Sequence, residues 1–271
     1  NPPSAVAPPR LAVLDVLLNM LMFTLIFVGG ERLGASSGAG RGGAAPEAWA
    51  LLAAGGAVGW VFLRRQWRQA APLFPVDLLR IPVFGLSMAS SVGAFCAQTL
   101  ASLALPFLLL DGLGRSPLQA GLLITAWPVA TVVTAPIAGR LIGRCADGLL
   151  GGIGMVFFAC GLLLLALLPS DPSSIDMVWR LALCGAGFAL FQSPNNHTIV
   201  TSAPLHRSCA ASGMLGTARL TGQTLGAVML AGIFSIFPAH DGGGERTALA
   251  AAAAFAVLAA VSSSLRLRRA H

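Results

Sequence analysis

The sequence contains no tyrosine and no lysine, so all 17 basic residues are arginine. It has only 10 carboxylates. Charged residues make up 10% of its 271 positions, against about 25% in ordinary soluble domains. So little polar surface excludes a water-facing globular fold, and a hydrophobic share of 56% excludes intrinsic disorder. Cys96, Cys145, Cys160, Cys184 and Cys209 follow no metal-ligand spacing and are too few for a disulfide scaffold. Most fall in apolar runs and read as small packing residues. HExxH, a Ser/His/Asp arrangement and a GxxxxGK[ST] phosphate loop are all missing; the glycine-rich run at 148–154 lacks the lysine. The sequence therefore implies no enzyme, no cofactor and no metal.

What the chain has instead is a series of long apolar runs. A membrane helix needs roughly 20 mostly apolar residues. Eight segments qualify: 11–30, 47–63, 83–110, 117–141, 149–168, 177–201, 208–237 and 247–265. They are too long for strands and do not alternate, so the fold expected is all-α and polytopic. The lipid bilayer is the implied partner. The net charge of +7 does not argue for nucleic acid, because the arginines lie between the apolar runs.

Those arginines set an orientation. One set of loops holds Arg10, Arg64, Arg65, Arg68, Arg80, Arg140, Arg144, Arg207, Arg266, Arg268 and Arg269. The other holds Arg32, Arg41, Arg115, Arg180 and Arg246 with seven carboxylates: Glu31, Glu47, Asp111, Asp171, Asp176, Asp241 and Glu245. The positive-inside rule puts the first set, and both chain ends, in the cytoplasm of a cell (inner) membrane protein. An even number of crossings gives the same answer independently.

The runs divide as a linker and two-helix hairpin at 1–63, a polar cytoplasmic linker at 64–82, and a six-helix block at 83–271. Residues 31–46 are rich in Gly, Ser and Ala and read as a flexible loop. The Pro-rich start, without Met, does not have the pattern of a signal peptide and reads as the middle of something longer.

Four stretches carry a family resemblance: PLFPVDLLRIPVFG at 72–85, SPLQAGLLITAWPVATVVTAPIAGRLIGR at 116–144, GAGFALFQSPNN at 185–196 and RSCAASGMLGTARLTGQTLGA at 207–227. Together they resemble the C-terminal part of the 14-helix drug:proton antiporters of the major facilitator superfamily. In that family two extra helices sit between six-helix halves, so the chain resembles the central pair plus the second half. The resemblance implies proton-coupled export of amphipathic or cationic compounds, with the N-terminal six-helix half as the missing partner. It also marks a cytoplasmic loop motif at Gly139, Arg140 and Arg144. There the family has Asp before the second arginine and this chain has Gly143, and a later expected glycine is Ala146. The departure implies weaker charge contacts between the halves.

Arg219 is the one arginine outside every loop. It lies ~16 Å into its helix at about 1.5 Å per residue. Placing arginine at a helix centre costs roughly 2.5–3.5 kcal/mol on insertion scales, so such a residue faces a cavity or a partner. Ser212, Gly216, Arg219, Gln223 and Gly226 form one polar and small stripe. No carboxylate is expected at its depth, and the absent half is the expected counterpart; a structural arginine bonded to neighbouring carbonyls is the simpler alternative. Gln192 and Asn196 share a face beside Pro194, which frees a backbone carbonyl. They suit either cavity lining or interhelical glue. Gln98, with Ser91 and Ser102, follows the same logic. Trp127 before Pro128 suits a kink and an aromatic wall for an apolar cation, and equally a lipid-facing or packing tryptophan. His197 reads as a structural histidine, and Asp15 with Asn19 as a self-satisfying pair near the interface. Gly216, Gly222, Gly226, Gly185 and Gly187 suit the close helix packing that rocking motions need. A non-transporting scaffold, an intramembrane enzyme, and an importer or exporter of a small metabolite on the same fold are the competing readings.

Overall fold

The computed structural model describes residues 13–38, 46–66, 76–169, 171–237 and 243–267. Among the described residues the chain is almost wholly helical: α1 (Val13–Gly38), α2 (Pro46–Gln66), α3 (Pro82–Phe107), α4 (Pro117–Ile124), α5 (Ala126–Leu141), α6 (Asp147–Ala166), α7 (Ser174–Ser202), α8 (Ser208–Ile236) and α9 (Gly243–Leu267). The all-α polytopic expectation stands. Seven segments are long and apolar enough to cross a membrane, with α4 and α5 together making one of them. The eighth, α8, has the length, but Arg219, Gln223 and its glycines and threonines dilute its apolar content.

Local chemistry sets the boundaries. Pro82 starts α3 at a position where no N–H is needed. Ser116 caps α4 in a reciprocal capping box with Gln119, followed by Pro117. Ser173 accepts from the Asp176 N–H to cap α7. The break between α4 and α5 falls at Thr125, three residues before Pro128, which has no N–H to give the preceding turn. The turn into α6 holds Gly143 at φ 81, a left-handed position that favours glycine. This accounts physically for the glycine in the slot where the family motif has Asp.

The six-helix block closes as a ring. Helix α5 packs on α7, α7 on α6, α6 on α9, α9 on α3, and α3 on both α8 and α7. Small residues allow this. A Cβ on Gly187 would meet the Phe158 backbone N at 2.5 Å, and one on Gly154 would meet Gly187 O at 2.7 Å, so α6 and α7 touch backbone to backbone. The hairpin α1–α2 reaches the block chiefly through α1 against α8.

Two apolar clusters fill the block. The larger joins α3, α6, α7 and α9 from mid-depth to one end. The smaller, around Phe84, Met88, Ile199 and Met214, closes the other end. Arg64, Arg65, Arg80, Arg140, Arg144, Arg207 and Arg266 gather at this second end, the arginine-rich end; Arg32, Arg115, Arg180 and Arg246 lie at the first.

Three expectations are corrected. Several charges expected in loops lie in the end turns of helices, among them Arg32, Arg64, Arg65, Arg140, Arg180, Arg246, Arg266 and Glu245, and of these Arg266 and Glu245 are buried. Both belong to α9, because the helix starts four residues before its apolar run and ends two residues after it. Asp15 and Asn19 do not form a self-contained pair: buried Asp15 accepts from Arg65 of α2 at 3.3 Å, which ties the hairpin together. The loop expected at 31–46 is also shortened, because α1 runs on to Gly38, and residues 39–45 lie outside the described residues. Of the linker expected at 64–82, residues 67–75 lie outside the described residues, and a short 3₁₀ turn (Val76–Arg80) leads into α3.

Candidate functional site

Arg219 has a partner in this chain after all, and it is a ring. Its guanidinium carbon sits 5.2 Å from the centroid of Phe95 on α3. This attraction between a cation and the negative face of an aromatic ring needs no carboxylate. Phe95 continues into an edge-to-face series. Phe188 on α7 lies 5.5 Å from it, Phe158 on α6 lies 5.5 Å from Phe188, and Trp127 on α5 lies 5.6 Å from Phe158. The T-shaped geometry sets ring edges against ring faces, which adds about 0.5–1.5 kcal/mol per pair beyond burial. The four rings lie near the middle of their membrane segments and Arg219 near the middle of α8, so the series forms one layer at mid-depth. Arg219 at its open end is exposed, while the four rings are buried.

Close backbone contact fixes the far end of the layer. A Cβ on Gly185 would meet the Trp127 carbonyl oxygen at 2.2 Å, and Thr131 Oγ1 donates to both Trp127 O (3.0 Å) and Gly185 O (3.2 Å). At the open end, Gly222 and Gly226 let α8 lie on α3: their Cβ atoms would meet Val92 O at 2.5 Å and Cys96 O at 2.6 Å. That contact brings Arg219, one turn away, over Phe95. Gly216 instead faces open space. The hydroxyls of Ser212, Thr217 and Thr224 bond carbonyls of their own helix, while α8 also presents exposed Arg219 and Thr221 and half-buried Gln223. Gln98 is half-buried and turns along α3 to Ser102. Gln192 and Asn196 are half-buried on α7, and Pro194 is buried between them.

Residues 86–271 match the Major Facilitator Superfamily. The chain belongs to the major facilitator superfamily. It is 49% identical over 264 residues, 97% of this chain, to an uncharacterized transporter, YebQ, of Escherichia coli. It is 29% identical over 68% of its length to the multidrug resistance protein Stp of Mycobacterium tuberculosis. The chain spans 56% and 34% of those two relatives. Its fold is similar to that of the nucleoside transporter NupG, with a TM-score of 0.55 at 14% identity over 87% of this chain and 64% of that one. Membership of this superfamily makes the chain a multi-pass membrane protein of a transporter family and points away from an enzyme.

In this major facilitator chain a second polar site lies at the arginine-rich end. Arg266 Nη1 donates to Ser87 Oγ and to Asn195 Oδ1, each at 2.8 Å, and Nη2 donates to Ser263 Oγ. Asn195 in turn donates to Ser91 Oγ at 2.7 Å, and Ser263 to Gly148 O at 3.3 Å. One guanidinium thereby joins α3, α6, α7 and α9. Beside it, Asp147 at the start of α6 bonds His197 at 2.7 Å and Thr198 at 3.1 Å. Gly139, Arg140 and Arg144 of the loop motif are exposed nearby on the chain.

At the opposite end the charges sort into pairs. Arg180 binds Asp176 at 2.8 Å and the Leu164 carbonyl, and Arg115 binds Pro172 O at 2.7 Å with Asp171 at 3.6 Å. Glu245 at this end is buried, and neither carboxylate oxygen has a hydrogen-bond partner.

Sequence reasoning missed Phe95, Phe158 and Phe188, because an apolar count treats phenylalanine like leucine. Phe95 and Phe188 each fall near the centre of a long run, a position that could have flagged them. It also missed Asp147, for which the signal was an acidic residue opening a helix four residues after the last loop-motif glycine, Gly143.

Proposed function

We propose that this chain is the second body of a proton-coupled exporter of amphipathic compounds, cationic ones included. It consists of a hairpin (1–63), a linker (64–82) and a six-helix half (83–271) of the 14-helix drug:proton antiporter type. A further six-helix body completes a cavity on the face that carries Arg219. The arginine-rich end is cytoplasmic, as are both chain ends, in the inner membrane.

One observation carries this reading: an exposed arginine at mid-depth, stacked on the first ring of a buried aromatic series. An intramembrane charge is costly unless it faces a cavity or partner, and binding between halves near the midplane is where such transporters hold substrate. Phe95, beneath Arg219, offers a cation-attracting face, Trp127 backs the series from its buried far end, and Gln98, Gln192, Gln223 and Asn196 offer donors and acceptors. A cationic substrate competes with Arg219 for the Phe95 face. Efflux of a fluorescent amphipathic dye, ethidium, from cells expressing the full-length protein tests the reading. The Arg219→Ala variant is expected to lose at least about tenfold in rate, which corresponds to about 1.4 kcal/mol. Unchanged efflux would remove Arg219, and the cavity built on it, from the mechanism.

A further inference from the structure

A buried polar group without a partner needs a reason. Glu245 is the third residue of α9, with its side chain fully buried and both oxygens unpartnered. The residues that follow it, Ala248 and Leu249, belong to the larger apolar cluster, together with Leu108 and Leu109 at the end of α3 and Leu165 and Leu168 at the end of α6. Helix α8 closes over the same point: a Cβ on Gly244 would meet Phe237 O at 2.6 Å and the Phe234 ring at 3.2 Å.

Among the described residues, the charged groups near this end make no hydrogen bond to Glu245. On α9 itself there is half-buried Arg246. From the end of α3 comes exposed Asp111; from the following turns Arg115, paired with Asp171; and from α7 Arg180, paired with Asp176. The last turns of α6 and α8 carry none.

We propose that Glu245 is a proton-binding site. Burying an ionised carboxylate with no donor on either oxygen is costly, and binding a proton removes that cost. The amino end of α9 acts the other way and favours negative charge. The opposition makes the proton exchangeable: the O–H bond forms as the ends of α3, α6, α8 and α9 close, and the proton passes to water when they part. This inference rests on the transport reading for its role, since it supplies within this chain a carboxylate for proton coupling that its sequence pattern places outside.

The test is infrared spectroscopy of the purified full-length protein in lipid nanodiscs. At neutral pH the wild type is expected to show the carbonyl stretch of a protonated carboxylic acid. Glu245→Gln should lack that band, Glu245→Asp should restore one, and alkali should bleach it. Superimposable wild-type and Glu245→Gln spectra in that region across the pH range would overturn the proposal. Ethidium transport separates the two claims. Glu245→Gln is expected to lose proton-driven efflux while keeping dye exchange without a gradient, and equal loss of both would overturn a coupling role. A wild type that shows the band but no proton-driven efflux overturns the transport reading and leaves the proton site standing.

Discussion

Helix α9 buries one charged side chain near each end, and the two are handled in opposite ways. Arg266 is 3% exposed and donates from both terminal nitrogens to Ser87, Asn195 and Ser263, on two other helices and its own, leaving only its Nε without a partner. Glu245 is 0% exposed and makes no hydrogen bond. The difference separates structure from chemistry. A guanidinium cannot usefully lose its proton, so burying it requires a fixed set of acceptors. A carboxyl can become neutral, so it tolerates an apolar site and its occupancy by a proton becomes a variable. The arginine-rich end is therefore built as a clamp joining α3, α6, α7 and α9, and the opposite end leaves a carboxyl buried without a partner.

The larger expected effect breaks the clamp. Asn195→Ala removes an acceptor of Arg266 and the donor to Ser91, which leaves a buried cation short of a partner. Hydrogen bonds to charged groups contribute about 1.5–3 kcal/mol, so a loss near 2 kcal/mol is expected in denaturant unfolding of the purified protein in micelles. The double variant with Arg266→Leu should cost less than the sum of the single changes, because the two side chains share one network. The smaller effect lies at the other end. Glu245→Gln replaces one neutral, unpartnered group by another of the same shape, and the same measurement should show a change within about 0.5 kcal/mol. A Glu245→Gln loss as large as that of Asn195→Ala would mean that Glu245 also has a structural partner, and the contrast would fail.

Much of the fold was legible because a bilayer imposes long apolar runs, and caps such as Ser116 and Ser173 mark where helices start. The ends of α9 were not. A hydropathy pattern stops at the first charge, so Arg266 and Glu245 read as loop residues. Whether a terminal charge is buried depends on neighbouring helices that are distant in sequence, such as Ser87, 179 residues from Arg266. The partner of Arg219 was hidden for the same reason. Periodicity along α8 puts Arg219 and Gln223 on one stripe, but nothing local reveals that Gly222 and Gly226 bring α3, and with it Phe95, against that helix. Trp127 was legible from its proline neighbour; its place at the far end of the aromatic series depends on Gly185 of α7.

The central claim is that the mid-depth layer opens from Arg219 into a water-filled cavity that takes substrate. It is tested most directly by thiol labelling of Gln223→Cys, beside Arg219 on α8, in the full-length protein with its native cysteines replaced. Leu258→Cys, on an exposed apolar face of α9, serves as the lipid-facing control. The account predicts that a membrane-impermeant maleimide labels Gln223→Cys and not Leu258→Cys, and that excess ethidium slows the labelling. Labelling of Gln223→Cys by lipid-soluble reagents alone, with no protection by ethidium, would contradict it.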